Sequence, residues 1–177
     1  MVKFISKIIG SKVVSFQERA LLGLVERVLI DPADGTFVGL VVRVAFDQEE
    51  RYVALGDIKG FAQGLVIVEE LNSLSGPDEI IRLGEVLKNE PRLIGASVVT
   101  ESGQKLGRVE EATIDIGLAV LKKLYVSPRF LPAILGEAKI IDARQIVKIG
   151  QREIIVRDTK TKIKKMLALP TEAPISE

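Results

Sequence analysis

The side chains that could do chemistry in this 177-residue chain are carboxylates, lysines and hydroxyls, because the sequence contains no histidine and no cysteine. Without histidine, the commonest general base, the Ser-His-Asp triad and imidazole metal ligation are all excluded. Without cysteine, thiolate nucleophiles, thiolate zinc sites and disulfides are excluded as well. Composition therefore removes most familiar catalytic mechanisms before any motif is considered.

Asp31 and Asp115 are the carboxylates whose placement most resembles a pair, since they occupy matching positions in two similar stretches of the chain. Paired carboxylates can share acid–base work or hold a hard cation. Each of these residues, however, follows an aliphatic run and leads into a turn, where aspartate commonly hydrogen-bonds nearby backbone. No Gly-rich phosphate loop or dinucleotide-binding motif occurs. We therefore predict a protein that is not an enzyme, with no catalytic residue, no cofactor and no metal.

Two segments are candidates for binding a partner. The loop at residues 127–137 contains the apolar side chains Phe130, Leu131, Ile134 and Leu135, which either form a partner-binding surface or close the end of a domain.

The second segment is a predicted helix at residues 159–169 that includes Lys160, Lys164 and Lys165. It has three interpretations: packing on the preceding domain with its lysines in solvent, contact with a partner protein, or adsorption to an anionic membrane surface.

Charge is unevenly distributed along the chain. Residues 1–90 carry 10 basic and 14 acidic side chains, whereas residues 91–177 carry 15 and 10. A basic second half suits an RNA or ribosomal partner, but it equally suits a solvated surface balanced by the acidic half. Self-association is a further alternative.

The sequence predicts a cytoplasmic protein. Its longest uncharged apolar stretch, Phe130 to Gly136, has seven residues, whereas a transmembrane helix needs about 20. Lys7 and Lys12 interrupt the apolar residues near the N-terminus, so the uninterrupted core of a secretory signal is missing.

Comparing the chain with itself shows an internal duplication. Three blocks recur in the same order, so the chain contains two copies of one unit of roughly 65 residues. The matching pairs are Ile8–Ser15 with Leu93–Thr100, Leu22–Asp31 with Leu106–Asp115, and Val66–Val68 with Ile154–Val156.

Each copy consists of short Val-, Ile- and Leu-rich runs separated by turn residues, including the turns at Asp34-Gly35 and Ser102-Gly103. This pattern is typical of a small antiparallel barrel. We predict a mainly β protein with two such barrels in tandem. The predicted divisions are a first barrel at 1–74, a connecting helix at 75–91, a second barrel at 92–157, and a C-terminal helix with a flexible tail at 158–177.

The residues of both copies resemble the PRC-barrel domain. In the first copy the similarity lies in Ile9-Gly10, Leu22-Gly23-Leu24-Val25-Glu26 and Val38-Gly39-Leu40-Val41-Val42; in the second it lies in Leu93-Ile94-Gly95 and Lys105-Leu106-Gly107. The resemblance implies a small β-barrel related to the cytoplasmic domain of the photosynthetic reaction centre H subunit and to the C-terminal domain of the ribosome maturation factor RimM.

The resemblance also implies a scaffold or binding role, because no catalytic motif defines this family. We therefore expect a non-enzymatic adaptor that binds a protein partner through its barrels. The alternatives are a ribosome- or RNA-associated factor that uses the basic second half, and a peripheral membrane protein that attaches through the C-terminal basic helix.

Overall fold

The computed structural model describes residues 1–76, 81–128 and 138–158. Runs rich in Val, Ile and Leu form thirteen strands among these residues, because β-branched side chains pack well on a pleated surface. The first seven are β1 (Val2–Phe4), β2 (Lys12–Ser15), β3 (Leu21–Ile30), β4 (Phe37–Val44), β5 (Glu50–Ala54), β6 (Ile58–Ala62) and β7 (Leu65–Val68). The other six are β8 (Ser97–Thr100), β9 (Lys105–Asp115), β10 (Val120–Ser127), β11 (Lys139–Asp142), β12 (Ile146–Ile149) and β13 (Glu153–Val156).

The strands form two sheets whose order confirms the internal duplication. The first sheet has the order β5-β4-β3-β2-β7-β6, and the second repeats it as β11-β10-β9-β8-β13-β12. The predicted turns are also confirmed: Gly35 and Gly103 adopt positive φ angles of 77° and 85° between paired strands. The structure is therefore a tandem pair of equivalent mainly β units.

The prediction of purely antiparallel units is wrong in one respect. β2 pairs in parallel with β7, and β13 pairs in parallel with β8. The cause is the path of the chain, because the last strand of each copy returns beside its first strand and runs in the same direction. Sequence patterns identify strands, but they do not fix which strands become neighbours.

The first sheet is strongly curled. The rings of Phe37 on β4 and Phe61 on β6 lie 6.4 Å apart, although the two strands are four places apart in the sheet order. In a flat sheet, four spacings would separate them by about 19 Å. The end strands are β5 and β6 in the first sheet and β11 and β12 in the second. Among the described residues, no backbone hydrogen-bond ladder joins the two end strands of either sheet, so neither sheet closes through hydrogen bonds.

The two units share one hydrophobic core. β1 leaves the first copy and pairs antiparallel with β9 of the second, with Val2 opposite Asp115 and Phe4 opposite Thr113. Phe4 also contacts Tyr125 of the second unit, with ring centroids 5.6 Å apart. Buried residues from both sheets form one continuous cluster.

The β3–β4 turn makes a second connection between the copies. The Phe37 amide donates to the Ala119 carbonyl at 2.8 Å, and the Leu121 amide donates to the Gly35 carbonyl at 2.9 Å. The first unit is therefore hydrogen-bonded to the second at two separate places: the β3–β4 turn and the β1–β9 ladder.

The helices are short. α1 (Ile5–Ile8) follows β1 and buries Ile5 and Ile8, and α2 (Ile81–Lys88) lies between the two copies in the chain. Val86 of α2 is buried, and Leu87 packs against a small cluster of Leu29, Val41 and Tyr52. Residues 77–80 of the connecting helix predicted at 75–91 lie outside the described residues, and so do residues 159–177 of the predicted C-terminal helix and tail.

Candidate partner-binding surface

The two aspartates singled out in the sequence have the structural role that we expected. The Asp31 carboxylate accepts a hydrogen bond from the Ala33 amide at 2.9 Å, and the Asp115 carboxylate accepts one from the Gly117 amide at 3.1 Å. Asp115 also pairs with the N-terminal ammonium group at 3.3 Å. Within the described ranges, no group of three potential ligands is arranged to hold a metal ion.

The partner-binding residues predicted from sequence lie outside the part of the chain that the structure describes. Phe130, Leu131, Ile134 and Leu135 belong to the segment 129–137, and Lys160, Lys164 and Lys165 belong to the segment from 159 onward. Both sets stay predictions. The described residues, however, contain an exposed apolar surface that was not predicted from the sequence.

This surface lies at one end of the first sheet and consists of Phe16, Leu21 and Phe46, which we call the phenylalanine tip. The side chains of Phe16 and Phe46 are 70% and 69% exposed, and Leu21 is 49% exposed. Exposure of this degree is unusual for phenylalanine, which ranks among the residue types most often buried. The tip therefore has no structural use in the core of the protein.

Strand pairing brings the three residues of the tip together. Leu21 at the start of β3 lies opposite Val14 on β2. Leu22 follows Leu21 on β3, and its carbonyl accepts a hydrogen bond from the Ala45 amide. Phe46 is the residue after Ala45, so it lies beside Leu21. Because β2 and β4 flank β3, the backbones that carry the two phenylalanines are about two strand spacings, or about 10 Å, apart.

The turn that carries Phe16 is held by local hydrogen bonds. The Glu18 amide donates to the Ser15 hydroxyl at 3.1 Å, and that hydroxyl also hydrogen-bonds the Glu18 carboxylate. The hydrogen bond from Ser15 lowers the pKa of Glu18 below its ordinary value. Arg19 adopts the left-handed conformation with a φ of 52°, so the chain reverses sharply beside Phe16.

The turn that carries Phe46 is similarly ordered. The Asp47 carboxylate accepts the Glu49 amide at 2.9 Å and pairs with Arg51 at 3.1 Å. The side chain of Gln48 donates to the Ala45 carbonyl at 3.1 Å, and its backbone has a φ of 61°. Both phenylalanines therefore project from turns that are fixed before any partner arrives.

Acidic side chains border the phenylalanine tip. Glu18 follows Phe16 by two residues, and Asp47 and Glu49 follow Phe46 by one and three residues. Arg51, which is bonded to both Asp47 and Glu49, and Arg19, which follows Glu18 in the same turn, offset two of these three negative charges. The result is an apolar contact surface with an acidic rim.

Comparison with known proteins gives one positive result. The model of the PRC-barrel domain matches residues 1–68 and 90–163. No curated protein matches the chain. The helices of the described segments are all too short or too polar to cross a membrane. The two matches cover most of both copies, and the chain belongs to the PRC-barrel domain family with two copies of the domain in tandem.

Proposed function

We propose that the protein is a non-enzymatic adaptor and that the phenylalanine tip is where it binds a protein partner. The observation that carries the proposal is the pair of phenylalanines, 70% and 69% exposed, at adjacent turns of one sheet. Aromatic side chains dominate binding energy in protein interfaces. The non-enzymatic role rests on the missing histidine and cysteine and on the structural use of Asp31 and Asp115.

The tip defines the chemistry of the partner. Two phenylalanines on backbones about 10 Å apart fit an apolar recess, or two neighbouring recesses, on a folded surface. Burying each phenylalanine contributes about 1.5–3 kcal/mol. Because the turns are already ordered, little conformational entropy is lost on binding. The acidic rim favours a partner surface bordered by lysine and arginine.

We also propose how each sheet closes, which strand pairing alone does not show. Each sheet curls into the small barrel of its family, and the segment that contains α2 joins the two barrels. Support comes from β5 and β6, the two end strands of the first sheet. The ring of Phe61 on β6 lies 6.4 Å from that of Phe37 on β4, the strand that pairs with β5.

Site-specific photo-crosslinking in the native host tests the adaptor role. A photoreactive phenylalanine analogue replaces Phe16 or Phe46 in the full chain, and the matched control places it at Leu118. Leu118 is 64% exposed. The next residue, Ala119, hydrogen-bonds to Phe37 at the turn of the β3–β4 hairpin, which is the end away from the phenylalanine tip. The proposal predicts that positions 16 and 46 crosslink the same protein and that position 118 does not.

Other products at positions 16 and 46 would contradict the proposal. Crosslinks to RNA would support the ribosome-associated alternative, and crosslinks to lipid would support the peripheral membrane alternative. Crosslinks to a second copy of this chain would replace the adaptor role with self-association. Equal yields of one protein at positions 16, 46 and 118 would indicate contact without specificity for the tip.

A further inference from the structure

A cleft of about 490 Å³ lies where the end of α2, the segment after it and the β12–β13 turn meet. Four cationic side chains line it: Arg27, Lys88, Arg92 and Arg152. Gln151 is an uncharged polar residue of the lining, and Glu90 is the one acidic residue among the described lining residues. The cleft draws its residues from both copies of the repeat.

Backbone hydrogen bonds fix the position of two of these arginines. The Arg92 amide donates to the Gln151 carbonyl at 2.9 Å, which ties the segment after α2 to the β12–β13 turn. The Ser97 amide donates to the Arg152 carbonyl at 2.9 Å. The backbones of Arg92 and Arg152 are therefore anchored next to each other at the cleft, and both residues are exposed.

The positive charge of the cleft is only partly neutralised. Glu90 accepts a hydrogen bond from Nε of Arg27 at 2.9 Å, and Glu50 accepts two from the same guanidinium at 3.0 and 3.2 Å. The hydrogen bonds to Glu50 and Glu90 raise the pKa of Arg27 above its ordinary value. Among the side chains that the structure describes, no carboxylate forms an ion pair with Lys88, Arg92 or Arg152. These three cations line the cleft together with Arg27.

We propose that this cleft binds a small phosphate-bearing ligand with at least two negative charges. Guanidinium groups bind phosphate oxygens in a bidentate manner, and lysine adds a point charge. The volume of the cleft lies within the range of about 300–1,000 Å³ typical of small-molecule sites. The proposal does not depend on the adaptor role, because the cleft and the phenylalanine tip share no residue.

Isothermal titration of the full chain with inorganic pyrophosphate tests the proposal. The variants are Arg92→Gln and Arg152→Gln. The matched control is Arg157→Gln, because Arg157 is also exposed but follows the opposite end of β13. Arg157→Gln removes one positive charge, as the cleft variants do, but about 17 Å from Arg152 along an extended strand.

We expect the wild type to bind one pyrophosphate per chain. Each cleft variant should weaken binding at least tenfold, and Arg157→Gln should change it less than twofold. Unchanged circular dichroism would show that the variants fold, as expected for exposed side chains.

Three results would overturn the proposal. The first is no binding of pyrophosphate by the wild type at millimolar concentration. The second is equal weakening by Arg157→Gln, which would indicate only a general effect of net charge. The third is binding of a single-stranded RNA oligonucleotide through Arg92 and Arg152 without any binding of pyrophosphate, which would identify a nucleic-acid surface instead of a small-molecule site.

Discussion

Replacement of Gly23 by alanine is expected to destabilise the protein strongly, because Gly23 is a point of close approach between β3 and β4. A Cβ atom added there would lie 2.9 Å from the carbonyl carbon of Arg43 and closer still to its oxygen, and 2.9 Å from Cγ1 of Val42. Carbon atoms in favourable contact are about 3.5–4.0 Å apart. The obstacle is largely backbone, so the strands themselves would have to separate.

The size of the effect follows from this geometry. Separating the strands by more than about 0.5 Å weakens the ladder hydrogen bonds beside Gly23, each worth about 1 kcal/mol. Overpacking of the neighbouring core adds about 1–3 kcal/mol. We expect a loss of about 3 kcal/mol in the free energy of unfolding, which for a chain of this length lowers Tm by about 6–12 °C.

Thermal unfolding of three alanine variants provides the assay. Gly107 occupies the position equivalent to Gly23 in the second copy, and its added Cβ would clash with the backbone of Ser127 and Pro128; Gly107→Ala should therefore be similarly harmful. Gly60→Ala on β6 is the matched control, because its added Cβ meets nothing within 4 Å. If Gly23→Ala unfolds within about 2 °C of Gly60→Ala, the close-approach reasoning is wrong.

Three further predictions concern the core, the N-terminal strand and the ion pairs. Because the two units share one core, calorimetry should show a single unfolding transition, and two resolved transitions would contradict the shared core. Phe4→Ala removes a ring contact with Tyr125 and should cost about 1–2 kcal/mol in chemical denaturation, whereas Phe16→Ala at the exposed tip should stay within about 0.5 kcal/mol of wild type. The guanidinium of Arg27 holds the pKa of Glu50 below its ordinary value of 4.5, so this pairing stabilises the fold above pH 4.5 and is lost as the pH falls through the lowered value. Because both side chains are partly exposed, Arg27→Gln should lower the free energy of unfolding by only about 1 kcal/mol at pH 7, and by less at pH 3. An equal loss at both pH values would contradict a stabilising Arg27–Glu50 ion pair.

Much of the fold could be predicted because the duplicated pattern is local. Aliphatic runs and turn glycines mark strands such as Leu65–Val68 and Glu153–Val156, which the structure places at the predicted residues. The roles of Asp31 and Asp115 were also predictable, because an aspartate after a strand bonds amides two residues ahead.

Features that depend on distant contacts could not be predicted. β1 has three residues, too few for a periodic pattern, and its partner β9 begins about a hundred residues later in the chain. The parallel pairing of β2 with β7 likewise depends on how the chain returns, not on either strand alone. The cationic cleft could not be predicted for the same reason, since Arg27, Arg92 and Arg152 come together only in the folded chain.

The phenylalanine tip did carry a local signal. Phe16 and Phe46 each stand alone in a polar turn, in Phe16-Gln17-Glu18-Arg19 and Phe46-Asp47-Gln48-Glu49. An isolated aromatic residue in such a turn has no core to enter. The longer apolar run that contains Phe130 is the stronger signal in the sequence, and it predicts a different surface.

The most direct test of the adaptor account is the affinity of the crosslinked partner for purified wild-type chain and for the double variant Phe16→Ser/Phe46→Ser. Losing two buried aromatic anchors at about 1.5 kcal/mol or more each should weaken binding at least about 100-fold. Leu118→Ser, the matched control, should leave the Kd unchanged. If the double variant binds within twofold of wild type, the phenylalanine tip is not the partner-binding surface.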